Sequence, residues 1–141
     1  MTRFVVDTSV AVKWFLLEVH SESASALLQQ DHQILAPDLI WAEFGNVLWK
    51  KWRRKEIDAD IAEGILRDFR RFPLEIHDSE RLLQLARAIA TEFERTVYDC
   101  LYLALAQRTE GILVTADSKF HDALKTTRLD RMLLRIEDLP V

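Results

Sequence analysis

Phe4-Val5-Val6-Asp7 is the first hydrophobic segment of the chain, and it ends in an acid. A second segment of the same kind, Ile112-Leu113-Val114-Thr115, is followed by an acid two positions later, at Asp117. Short hydrophobic runs rich in β-branched residues predict buried strands. The pattern therefore predicts two strands whose carboxyl ends each carry an acid.

The rest of the sequence continues this alternation of strands and helices. Hydrophobic runs predict strands at Phe4–Val6, Ile34–Ala36, Leu74–Ile76, Ile112–Thr115 and Leu133–Ile136. Helical periodicity predicts helices at Thr8–Leu17, Ser21–Gln30, from Pro37-Asp38 to about Arg54, and at Asp58–Phe69, Ser79–Phe93, Val97–Arg108 and Ser118–Lys125. Strands separated by helices pair in parallel through right-handed crossovers, which predicts an α/β sandwich with helices covering the sheet.

Length and composition predict one globular domain over residues 1–141. With 49% hydrophobic and 30% charged residues, and only three glycines and three prolines, the chain has the composition of an ordered protein. No stretch approaches the roughly 18 apolar residues of a membrane span, and the first residues lack a signal-peptide core. We therefore expect a cytoplasmic protein with no membrane partner.

Charge and cysteine content exclude several classes of function. The formal net charge is −4, so the chain as a whole would repel a polyanion, and any RNA contact must be local. The basic segment from Lys50 to Lys55 has an ordinary explanation as a solvated helix face. Cys100 is the single cysteine, which rules out an intrachain disulfide, and the four histidines lack the short spacings of zinc ligands.

Glu43 is an acid within an otherwise hydrophobic helix. At about 100° per residue, Glu43, Asn46 and Lys50 fall on one narrow polar stripe. A stripe of this kind is equally consistent with a solvent-facing surface and with a functional acid.

Asp99 interrupts a helix that is apolar on nearly every face, from Val97 to Ala106. A carboxylate in such a helix loses hydration unless it lies near a helix N-terminus, is paired, or binds a metal. Thr96 supplies a competing account, because the pattern Thr-x-x-Asp resembles a capping box.

The four acids are more informative together than singly. Asp7 and Asp117 taken alone have ordinary explanations as helix N-caps. In open α/β sheets, however, ligands bind outside the carboxyl ends of the strands, where the strand order reverses, and all four acids could converge there. Clustered carboxylates repel one another unless a cation relieves the repulsion, and oxygen-only ligands select a hard ion, Mg²⁺ or Mn²⁺.

The segments around these acids resemble the PIN-domain family, and within it the VapC toxins of bacterial and archaeal toxin–antitoxin pairs. The matching segments are Val6-Asp7-Thr8-Ser9-Val10 with Lys13-Trp14-Phe15, Glu43-Phe44-Gly45-Asn46-Val47-Leu48, the segment from Val97-Tyr98-Asp99-Cys100 to Ala106, and Leu113-Val114-Thr115-Ala116-Asp117. They are spread over nearly the whole chain in the family's order and spacing. Cys100 departs from the family pattern, in which a small alanine is more usual.

The resemblance implies a PIN-like, Rossmannoid three-layer sandwich with a central parallel sheet in strand order 3-2-1-4-5. It also implies a Mg²⁺- or Mn²⁺-dependent endoribonuclease, the toxin of a type II toxin–antitoxin system, whose products carry a 5′-phosphate and a 3′-hydroxyl. The catalytic and metal-binding residues would be Asp7, Glu43, Asp99 and Asp117, with Ser9, Thr115 and Asn46 as supporting residues and Lys13, Lys50, Arg53 and Arg54 as candidate contacts to RNA phosphates.

The expected partners are RNA, a cognate VapB-type antitoxin whose segment reaches the acidic crevice, and a second copy of the chain. Trp41, Leu48 and Trp52 form a stripe at helical spacing. Its default interpretation is core packing, although part of this aromatic surface would be an interface in a dimer.

Two alternative functions remain open from the sequence. A phosphoacceptor receiver-like signalling domain is also a small doubly wound protein with an acidic pocket. A receiver domain requires paired acids after the first strand and a lysine near the end of the last strand. In this chain, Asp7 is followed by Thr8. A catalytically silent PIN-like RNA- or protein-binding module would typically have lost one or more of the four acids.

Overall fold

The computed structural model describes residues 2–29 and 31–139. Its strands are β1 (Thr2–Val6), β2 (His32–Pro37), β3 (Glu75–His77), β4 (Ile112–Thr115) and β5 (Leu133–Arg135). Its helices are α1 (Thr8–Ala11), α2 (Ser21–Ala26), α3 (Leu39–Arg53), α4 (Ala59–Arg70), α5 (Ser79–Phe93), α6 (Val97–Thr109) and α7 (Ser118–Leu124). Short 3₁₀ turns follow α1 (Val12–Trp14) and flank β5 (Arg128–Met132 and Ile136–Asp138).

The five strands form one parallel sheet in the order β3-β2-β1-β4-β5, so the predicted strand order is confirmed. The order reverses between β1 and β4, which places the carboxyl ends of these two strands side by side, with Val6 opposite Val114. Receiver domains have the order 2-1-3-4-5, with β1 between β2 and β3. The receiver-like alternative is therefore wrong for this chain.

Side chains alternate between the two faces of the sheet, as the period of two in a strand requires. Phe4 and Val6 pack with the face covered by α3 and α4. Val5 and Leu113 pack on the opposite face, against α5 and α6. These two cores and the sheet between them make the predicted three-layer sandwich. Within the described ranges, none of the helices is both long and apolar enough to cross a membrane.

The predicted helix Thr8–Leu17 is wrong in its extent. The α-helix ends at Ala11, and a 3₁₀ turn carries the chain to Trp14, whose indole Nε1 donates a 2.8 Å hydrogen bond to the carbonyl of Ala24. The Phe15 ring packs edge-on against Phe44 in the first core. These tertiary contacts turn the chain inward where the α-helix ends.

The other predicted elements differ from the structure mainly at their ends. The second helix ends at Ala26 rather than continuing towards Gln30, which lies outside the described residues. Pro37 is the last residue of β2, so the third helix begins only at Leu39. The third strand begins at Glu75, one residue later than predicted.

Candidate active site

All four predicted acids line one pocket of about 160 Å³. Asp7 follows β1, Asp117 follows β4 after one intervening residue, Glu43 lies in the second turn of α3, and Asp99 lies in the first turn of α6. Thr8, Ser9, Tyr102 and Phe120 complete the lining. The fold therefore brings together side chains that are spread across 110 residues of sequence, at the edge of the sheet where the strand order reverses.

Asp7 is held by three donors. Its Oδ1 accepts hydrogen bonds from the Ser9 hydroxyl at 2.5 Å and from the backbone N–H of Val10 at 3.3 Å, while Oδ2 accepts one from the Thr115 hydroxyl at 2.5 Å. Burial of the carboxyl group raises the pKa of Asp7 to about 6, against the lowering effect of these bonds, and the nearby charge of Glu43 raises it further. Asp7 therefore ionises less readily than an ordinary aspartate.

Asp117 is the N-cap of α7 and accepts the backbone N–H of Phe120 at 3.1 Å. Its own N–H donates to the Thr115 hydroxyl at 3.0 Å, and the Ser9 hydroxyl accepts the N–H of Ala116 at 2.9 Å. The hydroxyls of Ser9 and Thr115 thus connect the ends of β1 and β4. Both residues contact Asp7, as supporting residues would.

Glu43 accepts a 2.5 Å hydrogen bond from the hydroxyl of Tyr102 on α6. Burial raises the pKa of Glu43, and the charge of Asp99 adds to that rise, whereas the bond from Tyr102 opposes it. Sequence reasoning did not single out Tyr102. The available signal was a hydroxyl in a helix that is otherwise apolar, because a buried tyrosine hydroxyl usually requires a partner.

Asp99 lies both at the N-terminus of α6 and in the acid pocket. Thr96 is the N-cap of α6, and its hydroxyl accepts the backbone N–H of Asp99 at 3.1 Å, as the capping account predicts. The carboxylate of Asp99 nevertheless lines the pocket, where Nη2 of Arg95 contacts its Oδ2 at 3.2 Å. Asp7 and Asp117 are themselves helix N-caps and also line the pocket, so capping and pocket formation are not exclusive.

The donor set fits a hard divalent cation. The pocket offers carboxylate and hydroxyl oxygens and contains no histidine or cysteine in its lining, which is the chemistry that Mg²⁺ and Mn²⁺ prefer. Within residues 2–29 and 31–139, no three histidine, cysteine, aspartate or glutamate side chains are gathered tightly enough to hold an ion as they stand. The carboxylates would therefore have to close around a cation.

The remaining predicted site residues lie outside the pocket. Asn46 is exposed on α3 and does not line it. Nζ of Lys13 donates a 2.7 Å hydrogen bond to the carbonyl of Val19 and pairs with Glu18 at 3.4 Å, and its side chain is only 9% exposed. An internal arrangement of this kind leaves the Lys13 ammonium unfavourably placed for RNA.

Lys50, Arg53 and Arg54 lie at the end of α3 that is remote from Glu43. At 1.5 Å per residue, Lys50 is about 10 Å from Glu43 along the helix axis. The guanidinium of Arg53 lies 5.4 Å from the centre of the Trp49 ring. These residues could contact only RNA that extends beyond the pocket, and their role remains a prediction.

The sequence profile of the PIN domain matches residues 4–125, and the chain belongs to the PIN-domain family. Within that family, it is 34% identical over 117 residues to Ribonuclease VapC3 of Pyrobaculum aerophilum, an alignment that covers 82% of this chain and 89% of that protein. The resemblance seen in the sequence, to PIN domains and to VapC proteins among them, is confirmed.

Solved structures show the same fold. PAE2754 from Pyrobaculum aerophilum has a TM-score of 0.71 at 20% identity, covering 96% of this chain and 85% of its own. The structure of VapBC2 from Rickettsia felis, bound to a DNA fragment from the VapBC2 promoter, has a TM-score of 0.61 at 17% identity. The match covers 95% of this chain and 98% of the matched chain. At these identities the likeness is one of fold.

Proposed function

We propose that this protein is a metal-dependent endoribonuclease, the VapC-type toxin of a type II toxin–antitoxin pair. The observation that carries the proposal is the convergence of Asp7, Glu43, Asp99 and Asp117 on one pocket. Membership of the PIN-domain family and 34% identity to a protein named as a VapC ribonuclease support the same conclusion.

The four acids would hold Mg²⁺ or Mn²⁺. A divalent ion bound there supplies Lewis-acid stabilisation of the phosphoryl oxygens and lowers the pKa of a bound water. The hydroxyls of Ser9 and Thr115 donate to the two oxygens of Asp7, and the hydroxyl of Tyr102 donates to one oxygen of Glu43, so these bonds hold both carboxylates at the pocket. One of the four acids accepts the proton of the attacking water. The products would carry a 5′-phosphate and a 3′-hydroxyl.

RNA would contact the protein locally, because the net charge of the chain is −4. Single-stranded or looped RNA suits a small pocket, since its bases and phosphates can be splayed towards the acids. Lys50, Arg53 and Arg54 would hold flanking phosphates without reading sequence. This activity would belong in the cytoplasm.

A VapB-type antitoxin and a second copy of the chain are the proposed protein partners. The VapBC2 structure from Rickettsia felis, which has the same fold, supports the first of these. Trp49 and Trp52 are about half exposed and line an apolar groove between α3 and α4, which suits a protein interface. Leu48, by contrast, is buried in the first core, so the predicted stripe is divided between core and surface.

An RNA cleavage assay tests this proposal against the catalytically silent alternative. Purified protein should cleave RNA in Mn²⁺ and lose the activity in EDTA, and the variants Asp7→Asn and Asp99→Asn should be folded but inactive. Wild-type protein that binds RNA in Mn²⁺ without cleaving it would favour the binding-module alternative instead.

A further inference from the structure

Arg95 lies beside the acid pocket, and the proposed function assigns it no role. Its Nη2 contacts Oδ2 of Asp99 at 3.2 Å, and its guanidinium carbon lies 5.1 Å from the centre of the Phe120 ring, which lines the pocket. The structure describes several ion pairs within residues 2–29 and 31–139. Of these, only the Arg95–Asp99 pair contains a carboxylate that lines the pocket. Arg95 is therefore the counter-charge of the pocket.

Helix stability does not explain this position. Arg95 immediately precedes Thr96, the N-cap of α6, and a positive charge at a helix N-terminus is disfavoured by the helix dipole. The geometry of the Arg95–Asp99 ion pair is also unfavourable for a permanent contact. Only one N–H of the guanidinium reaches Asp99, and Nε is buried with no hydrogen-bond partner, whereas arginine typically binds a carboxylate through two parallel bonds.

The Oδ2 atom that Arg95 contacts belongs to an acid of the proposed metal site. A cation that takes Asp99 as a ligand competes electrostatically with the guanidinium for that carboxylate. Once displaced from Asp99, the guanidinium would still lie over Phe120, which lines the pocket, with its terminal N–H groups free. A fork of N–H donors at that point matches the geometry of a phosphodiester oxygen pair.

We propose that Arg95 exchanges partners during substrate binding: it neutralises Asp99 while the pocket lacks a cation, and moves to the phosphodiester of RNA when a cation binds. This inference rests on the proposed function. It makes Arg95 an antagonist of metal binding and a positioning residue for the substrate, two effects with opposite signs.

The test measures Mn²⁺ affinity by calorimetry in the absence of RNA, on the full chain. Arg95→Gln should bind Mn²⁺ about two- to fivefold more tightly than wild type, because the competing charge is gone. Arg95→Lys, which keeps the charge, should stay close to wild type. Arg128→Gln is the matched control, since Arg128 pairs with Glu92 and lies 5.1 Å from the Phe93 ring, but its partners do not line the pocket.

The second measurement is the affinity for a 2′-O-methyl RNA oligonucleotide in saturating Mn²⁺. Arg95→Gln should weaken this binding by about three- to tenfold, and Arg128→Gln should not. A purely structural role for Arg95 would not tighten metal binding while weakening RNA binding.

Three results would overturn the inference. Unchanged or weaker Mn²⁺ binding by Arg95→Gln would show that Arg95 does not compete for Asp99, and unchanged RNA binding would exclude its transfer to the phosphodiester. If wild type binds Mn²⁺ and cleaves RNA, either result leaves the proposed function intact. Wild-type protein that binds no Mn²⁺ would contradict both.

Discussion

The hydroxyl of Tyr102 donates a 2.5 Å hydrogen bond to Oε1 of Glu43, although the two residues lie on helices that cover opposite faces of the sheet. The bond crosses the edge of the sheet where β1 and β4 end. It connects an acid on α3 to the helix that carries Asp99. Through this contact, the two layers of helices jointly set the geometry of the pocket.

Replacing Tyr102 by phenylalanine should weaken Mn²⁺ binding and RNA cleavage by about ten- to a hundredfold each, because a hydrogen bond to a charged group contributes about 1.5–3 kcal/mol. The Glu43 carboxylate would lose its donor and would no longer be held towards the pocket. Calorimetry and initial cleavage rates measure the two effects. Tyr98→Phe is the matched control, because Tyr98 is exposed on the same helix and outside the pocket, and an equal loss in both variants would contradict this account.

Thr115 should be required for stability as well as for site geometry. Its buried hydroxyl donates to Asp7 and accepts the backbone N–H of Asp117, so Thr115→Val leaves both groups without this partner at almost unchanged volume. We expect a loss of about 1–3 kcal/mol in the free energy of unfolding. Urea denaturation measures it, and Thr115→Ser, which retains the hydroxyl, should lose markedly less. Similar losses of unfolding free energy in the two variants would show that Thr115 stabilises the fold through packing rather than through hydrogen bonding.

The raised pKa of Asp7 predicts a specific pH dependence of stability. The folded state holds the Asp7 proton up to a pKa of about 6, above the ordinary value of 3.8, so the folded state binds more protons between these pH values. The contribution of Asp7 therefore stabilises the fold at low pH and is lost as the pH rises through 6. In EDTA at pH 7, Asp7→Asn should be about 1–2 kcal/mol more stable than wild type, after allowance for one weakened hydrogen bond.

Urea denaturation at pH 4 to 7 checks this prediction through the difference between wild type and Asp7→Asn. That difference should grow with pH and level off above pH 6. The control is Asp58→Asn, because Asp58 caps α4 at the surface, where its carboxylate accepts the N–H of Ile61. A difference in the free energy of unfolding between Asp7→Asn and wild type that does not change with pH would show that burial does not raise the pKa of Asp7 in the folded state.

The two strand-end acids could be predicted from local sequence. A hydrophobic run followed by an acid predicted both the strands and the sheet edge at which Asp7 and Asp117 lie. Glu43 and Asp99 could not be placed in this way, because helical periodicity gives the face of a helix but not the edge to which that face turns. Their assignment depended on the family resemblance, and the structure brings them to the same pocket.

The features that could not be predicted from the sequence depend on tertiary contacts. The first helix was predicted too long because the pattern up to Leu17 is hydrophobic, whereas Trp14 bonds to Ala24 and Phe15 enters the core. Tyr102 was assigned to an apolar helix face, and its hydroxyl partner lies 59 residues away. Neither partner can be read from a window of neighbouring residues.

The central claim is that four distant carboxylates form one cation site. Anomalous diffraction from crystals soaked in Mn²⁺ tests it most directly. The account predicts a manganese peak in the pocket, within about 2.5 Å of carboxylate oxygens from at least three of Asp7, Glu43, Asp99 and Asp117. A pocket without manganese in crystals that bind it elsewhere, or with the four carboxylates left apart, would contradict the account.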